Sequence, residues 1–138
     1  PEWVKQWGDL PSVTAFVCDF ADTLVRRYQD RVKRWHVGGG LNHAATCGLG
    51  DDDRLRLAAR LLETARQACP DGEWVIGVAQ PWGDYLEGGE HPYSPLIFVD
   101  TLMRAGFSFA GVGLEVACGP GPRASRPRDV LDVFRLLE

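Results

Sequence analysis

Three short runs of apolar residues alternate with longer segments of helical periodicity along this chain. The apolar runs cover residues 32–37, 74–79 and 110–118, and their starts lie about 40 residues apart, a rhythm typical of β/α units. The middle run is apolar at nearly every position, as is usual in parallel strands that are buried on both faces. The pattern therefore predicts an α/β fold in which three parallel strands are joined by outer helices.

The segments before and between these runs repeat apolar residues every three or four positions, as helices with one buried face do. The first predicted helix is clearest from Asp19 or Ala21 to Arg31. Its apolar stripe consists of Phe20, Leu24, Val25 and Tyr28. The stripe of the second helix consists of Leu55, Ala58, Leu61, Leu62 and Ala65. The third helix lies between a Ser94 cap and Gly106, with a stripe of Phe98, Leu102 and Ala105.

Three consecutive aspartates, Asp51, Asp52 and Asp53, precede the second predicted helix. Acidic residues are favourable at a helix N-terminus because they cap free backbone N–H groups and interact with the helix dipole. An aspartate cluster can also indicate calcium, but the spacing of acids, glycine and distal glutamate in an EF-hand is missing. The triplet therefore predicts a capped helix start.

A further amphipathic segment closes the sequence. It begins at Pro127, repeats apolar residues through Leu137 and shows no C-terminal capping signal before Glu138. Three parallel strands are too few to close a barrel, and they are not expected to form a stable sheet by themselves. We therefore expect residues 1–138 to be a single partial domain, an internal piece of a larger β/α protein. Its exposed strand edges would favour self-association.

Composition narrows the range of partners. The net charge is −4 and the pI is about 5.3, and the basic residues are scattered, so neither nucleic acid nor an anionic membrane is expected as a partner. Apolar runs also stay well short of the ~20 residues of a membrane span. The four cysteines fit no CxxC pair and no zinc ribbon, which predicts reduced thiols and no metal or other cofactor.

Polar and aromatic residues gather where each predicted strand ends, which is the end at which parallel β/α folds form their sites. They are Trp35, His36 and Asn42 after the first strand, Gln80, Trp82, Asp84 and Tyr85 after the second, and Glu115 in the third. Aromatic rings stack on sugar rings, while amides and carboxylates bind hydroxyl groups. The set therefore predicts a carbohydrate ligand. The alternative is that the tryptophans are core or rim aromatics and that His36 is a core histidine.

Glu115 interrupts an otherwise apolar strand. A carboxylate buried there would be costly unless it were paired or hydrogen-bonded. Two interpretations stay open: Glu115 is a general acid, or it is a structural glutamate bonded to an Arg or Trp N–H group. Asp84 is the second candidate for a catalytic carboxylate.

The order and spacing of these segments resemble a known family. Residues 28–37, YQDRVKRWHV, resemble the fourth-strand region of glycoside hydrolase family 10, the xylanase-type TIM barrels, where a WDVVNE run carries the catalytic acid/base. Residues 1–4 are similar to the segment after the third strand, and residues 111–115 to the sixth-strand GIGLQ run. The resemblance covers nearly the whole chain. It implies a partial (β/α)8 TIM barrel, from about strand four through helix six, in a carbohydrate context.

The chain departs from that family at functional positions. The aspartate after the tryptophan is His36 here, and the asparagine and acid/base glutamate fall on Gly39 and Gly40. The sixth-strand glutamine is Glu115, and the histidine two residues later is Ala117. The family nucleophile comes from the seventh strand. The WHV and AQPWGDYL runs look more like a divergent bacterial branch.

Three functional hypotheses follow. In the first, the protein hydrolyses glycosidic bonds of a plant-type polysaccharide such as xylan, with Glu115 or Asp84 replacing the lost acid. In the second, it is a catalytically degenerate barrel that binds a glycan or scaffolds a partner. The third is a β/α enzyme that does not act on sugars. The missing family glutamate favours the second hypothesis, whereas the retained polar and aromatic cluster favours the first.

Overall fold

The computed structural model describes residues 9–43, 48–79 and 94–115. In these ranges helices and strands alternate along the chain. They are α1 (Leu10–Tyr28), β1 (Arg34–Val37), α2 (Asp51–Ala68), β2 (Glu73–Ala79), α3 (Pro95–Arg104) and β3 (Gly111–Glu115). The helix predicted from Pro127 onward and positions 116–118 of the third predicted strand lie outside the described residues.

Within these ranges the strands form one parallel sheet in the order β1-β2-β3. Trp35 lies beside Trp74 in the first pair of strands, and Gly77 lies beside Gly113 in the second. The prediction of an α/β fold with adjacent parallel strands is therefore confirmed. The barrel itself stays a prediction.

The first helix is longer at its N-terminus than the sequence pattern predicts. Asp9 caps it, because the Asp9 carboxylate accepts a hydrogen bond from the backbone N–H of Ser12 at 2.8 Å. Pro11 lies in the first turn, where its missing N–H costs nothing. The helix therefore begins at Leu10, well before the segment in which the sequence pattern is clearest.

The start of the first strand is also later than predicted. After α1 ends, the backbone N–H groups of Arg31 and Val32 both donate to the carbonyl of Tyr28. Because the N–H of Val32 is already bonded within this turn, Val32 does not belong to the strand, which begins at Arg34.

The two later helices begin and end close to where the sequence predicts. The hydroxyl of Ser94 accepts a hydrogen bond from the N–H of Ile97 at 3.1 Å and caps α3. Gly106, with φ +88°, follows the end of α3, and Phe107 N–H returns to the carbonyl of Leu102. The N-cap of α2 is Gly50 rather than an aspartate, so the aspartates lie in its first turn, where the helix dipole favours them.

The hydrophobic core lies between the helices and one face of the sheet. From the strands it takes Trp35, Val37, Trp74, Ile76 and Val78. From α2 it takes Leu57, Ala58, Leu61, Leu62, Ala65 and Ala68, and from α3 Phe98, Val99 and Leu102. Most of the predicted stripes of α2 and α3 are thus buried, although Ala105 is exposed.

The predicted stripe of α1 is only partly confirmed, because Val25 is in the core but the other three members are exposed. Val13 and Val25 are buried, and Val17 and Ala21 pack partly against the core, so α1 meets α2 through every fourth residue. Phe20, by contrast, is 59% exposed. Leu24 and Tyr28 are also exposed. Two apolar stripes run side by side on this helix, and α2 covers only one of them.

One arginine is enclosed at the start of α2. Arg54 is 2% exposed, pairs with Asp51 and donates to the carbonyl of Leu49 at 2.8 Å. Burial lowers the pKa of its guanidinium, while the Asp51 carboxylate compensates the charge and the Leu49 carbonyl accepts one hydrogen bond. Among the described residues, no helix has the length and apolar character needed to cross a membrane.

Candidate functional site

The second face of the sheet carries the residues that can meet a ligand. Side chains alternate along a strand, so paired residues of neighbouring strands share a face. We call the helix-packed side the covered face and the other side the open face. The open face carries the residues Arg34, His36, Glu73, Val75, Gly77, Ala79, Gly111, Gly113 and Glu115. None of these residues belongs to the hydrophobic core of the described residues.

The imidazole of His36 lies across the middle of the open face. A methyl group on Cα of Gly77 would lie 2.6 Å from Nε2 of His36, and one on Gly113 would lie 2.5 Å from the same atom. Contacts this short do not occur with real side chains. The ring therefore occupies the space that side chains on β2 and β3 would fill.

Glu115 lies next to this ring. A methyl group on Gly39 would lie 2.5 Å from Oε1 of Glu115 and 3.5 Å from Cε1 of His36. The imidazole from β1 and the carboxylate from β3 therefore flank the same small space above the loop that follows β1. This is the carboxyl end of the sheet, as the sequence predicts.

Asn42 holds that loop in place. Its Nδ2 donates to the carbonyl of Ala79 at 2.9 Å, and its Oδ1 accepts from the N–H of Ala79 at 2.8 Å. Asn42 is 5% exposed. The amide of Asn42 thus bonds to both backbone polar groups of Ala79, as the backbone of a neighbouring strand would. Ala79 is the register partner of Glu115. These two hydrogen bonds give Asn42 a positioning role, and its predicted contact with substrate stays a prediction.

Glu115 itself is exposed rather than buried. The alternation of β3 turns Leu114 toward the core and Glu115 to the open face. The case of a buried carboxylate that must be paired therefore does not arise, and both interpretations of Glu115, general acid or structural glutamate, stay predictions. Being exposed, the carboxylate needs no compensating partner and can accept hydrogen bonds from a ligand.

Trp35 is separated from this site. It is 9% exposed and lies on the covered face, where its ring stacks on that of Trp74 with centroids 6.2 Å apart and planes 21° from parallel. The expectation that Trp35 converges with Glu115 is corrected, because neighbouring residues of one strand point to opposite faces. The core alternative holds for this residue.

A cavity of about 320 Å³ lies beside Trp35, between α1, β1 and α2. Apolar side chains such as Phe20, Leu24 and Leu57 form most of its wall. Nε1 of Trp35 and of Trp74 is buried without a hydrogen-bond partner in the described part of the chain. The cavity is apolar, so it does not offer the several polar partners that a sugar ring needs.

Half of the predicted site residues lie outside the part of the chain that the structure describes. These are Gln80, Trp82, Asp84 and Tyr85. In residues 9–43, 48–79 and 94–115 no three His, Cys, Asp or Glu side chains are grouped so that they could hold a metal ion.

Sequence reasoning missed the role of two glycines. Gly77 and Gly113 lie inside the predicted apolar strands 74–79 and 110–118, and a glycine inside a strand often marks the close approach of another group. The available signal was that each glycine lies three residues after the first residue of its predicted strand, so the two could be neighbours in a parallel sheet.

Comparisons with known proteins found no relative of this chain. No family model matches the chain, and neither a curated protein nor a solved structure matches it significantly.

Proposed function

We propose that this chain is part of a β/α-barrel protein that acts on the glycosidic bonds of a plant-type polysaccharide such as xylan, with Glu115 as a catalytic carboxylate. The observation that carries the proposal is the position of Glu115. It ends β3 on the open face, exposed and beside His36. The carboxyl ends of parallel strands are where β/α proteins form their sites.

Glycoside hydrolysis uses two carboxyl groups on opposite sides of the scissile bond. Glu115 would give a proton to the leaving oxygen or take one from water at Oε1. Asp84 is the proposed second carboxylate, and Gln80, Trp82 and Tyr85 are proposed to hold the sugar. The resemblance to xylanase-type barrels supports a carbohydrate as the ligand, and no cofactor is needed for this chemistry.

A second candidate function is carbohydrate binding or scaffolding without hydrolysis. Gly40 falls where the xylanase-type acid/base glutamate is expected, and its φ is +67°. L-residues rarely adopt that conformation, so a glutamate at this position would strain the loop. This observation favours a barrel that has lost the family's acid/base.

The two functions are separated by measuring reducing ends released from xylan and the affinity for xylohexaose, a soluble fragment of it. If Glu115 is the acid/base, Glu115→Gln should reduce release about 100-fold or more. Glu73→Gln is the matched control, because Glu73 is on the same face of the sheet at the opposite end.

Each result has a distinct meaning. Equal turnover by Glu115→Gln and the parent protein would show that Glu115 is not catalytic. Binding of xylohexaose without release of reducing ends would favour the degenerate barrel. If the protein neither bound xylohexaose nor released reducing ends, both hydrolysis and carbohydrate binding would be contradicted.

Self-association through exposed strand edges also stays a proposal. It is supported by the apolar residues that α1 leaves exposed next to β1, which is an edge strand of the described sheet. Sedimentation should show a mass that rises with protein concentration, and Phe20→Gln should weaken that rise. A constant monomer mass in the micromolar range would contradict the proposal.

A further inference from the structure

Glycines from three different elements surround the two polar side chains of the open face. Gly77 on β2 and Gly113 on β3 are register partners below the His36 ring, and Gly39 lies in the loop after β1. Glycine weakens a strand interior, since it brings no side chain to pack and loses the most freedom on folding. Two paired glycines under one ring are therefore explained best by the space that they leave.

We propose that Gly77 and Gly113 form a seat for the imidazole of His36, and that the seated imidazole and the Glu115 carboxylate bind one polar group of the ligand above Gly39. The identity of that group as a sugar hydroxyl rests on the proposed function. His36 is then a specificity-determining residue of the site, acting together with Glu115.

The chemistry of the two groups fits a hydroxyl. Nε2 of His36 lies against Gly77 and Gly113, whereas Cε1 lies nearest the space shared with Oε1 of Glu115. Nδ1, which is bonded to Cε1, is therefore the nitrogen assigned to the ligand in this proposal. A neutral imidazole has one donor and one acceptor nitrogen, whereas an ionised carboxylate only accepts. A hydroxyl both donates and accepts, so it can bond to both groups at once.

The seat is tested by Gly113→Ala with Gly111→Ala as its matched control. The added methyl at position 113 would overlap Nε2 and Cδ2 of His36, which is the end of a side chain that can rotate away. At position 111, on the same strand and face, a methyl would meet nothing within 4 Å. The first change should therefore displace the imidazole without unfolding the strand, and the second should leave it in place.

The first readout needs no ligand. The NMR signal of the His36 Cε1–H group, assigned by its loss in His36→Ala, should move in Gly113→Ala and stay unchanged in Gly111→Ala. Far-UV circular dichroism of both variants should match that of the parent. If both alanine variants changed the His36 signal equally, or if neither changed it, the proposed position of the imidazole over Gly77 and Gly113 would be contradicted.

The second readout is affinity for xylohexaose by titration calorimetry. We expect Gly113→Ala, His36→Ala and Glu115→Gln each to weaken binding about fivefold or more, as the loss of one net hydrogen bond would, and Gly111→Ala to leave it unchanged. In the His36→Ala background, Gly113→Ala should have no further effect. The changes at His36 and Glu115 should also be non-additive when combined.

The outcomes separate the inference from the proposed function. If the His36 signal moves in Gly113→Ala but affinity does not change, the role of His36 in binding is overturned while the carbohydrate function stands. If the parent protein binds no xylohexaose, the carbohydrate function fails, and the seat is then decided by the His36 signal alone.

Discussion

The covered and open faces belong to the same three strands, yet they are built from different residues. Trp35, Trp74, Ile76 and Val78 fill the covered face and pack against helices. The open face has glycines in its middle and two polar side chains, His36 and Glu115, at its carboxyl end. Alternate positions along one strand thus serve opposite needs: large side chains exclude water on one side, and small ones leave room on the other.

This difference has an energetic consequence. Buried apolar groups contribute most of the stability of a domain, whereas exposed polar groups contribute little. Changes on the covered face should therefore reduce the free energy of unfolding, and changes at the polar positions of the open face should mainly affect binding. The following substitutions test how sharply the two faces are divided, from the largest expected effect to the smallest.

Ile76→Ala should have the largest effect. Ile76 is fully buried on the covered face, so removing its side chain leaves a cavity and should cost about 2–5 kcal/mol of unfolding free energy. Urea denaturation measures this cost. Val75→Ala is the control, because Val75 is next in sequence but on the partly exposed open face, and it should cost less than about 1 kcal/mol. Equal losses would contradict the division into two faces.

Gly77→Ala should be the exception on the open face. Its new methyl would overlap the His36 ring and lie 2.8 Å from Cα of Gly39, and the backbone there cannot rotate away as a side chain can. We expect a loss of about 1–3 kcal/mol by urea denaturation, as for other overpacked sites. Gly111→Ala has free space and should change stability by less than about 0.5 kcal/mol. If both alanines were tolerated equally, the close approach of the Gly39 loop would be wrong.

Asn42→Ala should have a somewhat smaller effect. It removes both hydrogen bonds to Ala79 and should cost about 1–2 kcal/mol. Hydrogen exchange at the Ala79 amide should become faster, which locates the loss at the end of β2. Asn42→Asp is the informative companion. Its carboxylate can still accept from the Ala79 N–H, but it turns a second oxygen toward the Ala79 carbonyl, so it should not restore stability. If hydrogen exchange at the Ala79 amide stayed slow in Asn42→Ala, the contact between Asn42 and Ala79 would not stabilise the end of β2.

Glu73→Gln should have the smallest effect. Glu73 pairs with Arg34 at 2.8 Å, but both side chains are at least half exposed, so water and salt screen the pair. The change should cost less than about 1 kcal/mol, and any cost should shrink as salt is raised. A large loss that resists salt would mean that polar contacts at this end of the open face stabilise the sheet.

The sequence predicted the elements of this fold well and their exact packing less well. Ser94 and Gly106 predicted the limits of α3, and the apolar runs predicted all three strands and their parallel order. These features follow from local backbone chemistry and from the short distance between elements. Three of the four residues in the predicted stripe of α1 are exposed, because the helix carries two neighbouring apolar stripes and only contact with α2 selects one of them.

For the candidate site, the sequence by itself determined where polar residues fall, at the carboxyl ends of the strands. It could not determine which face each residue takes. In a run such as Trp35-His36-Val37, alternation separates neighbours but does not say which of them meets the helices. Tertiary structure decided that Trp35 enters the core, that Asn42 bonds to Ala79, and that the glycines of two other strands make room for His36 beside Glu115. These outcomes depend on contacts between residues far apart in the chain, and no local pattern encodes them.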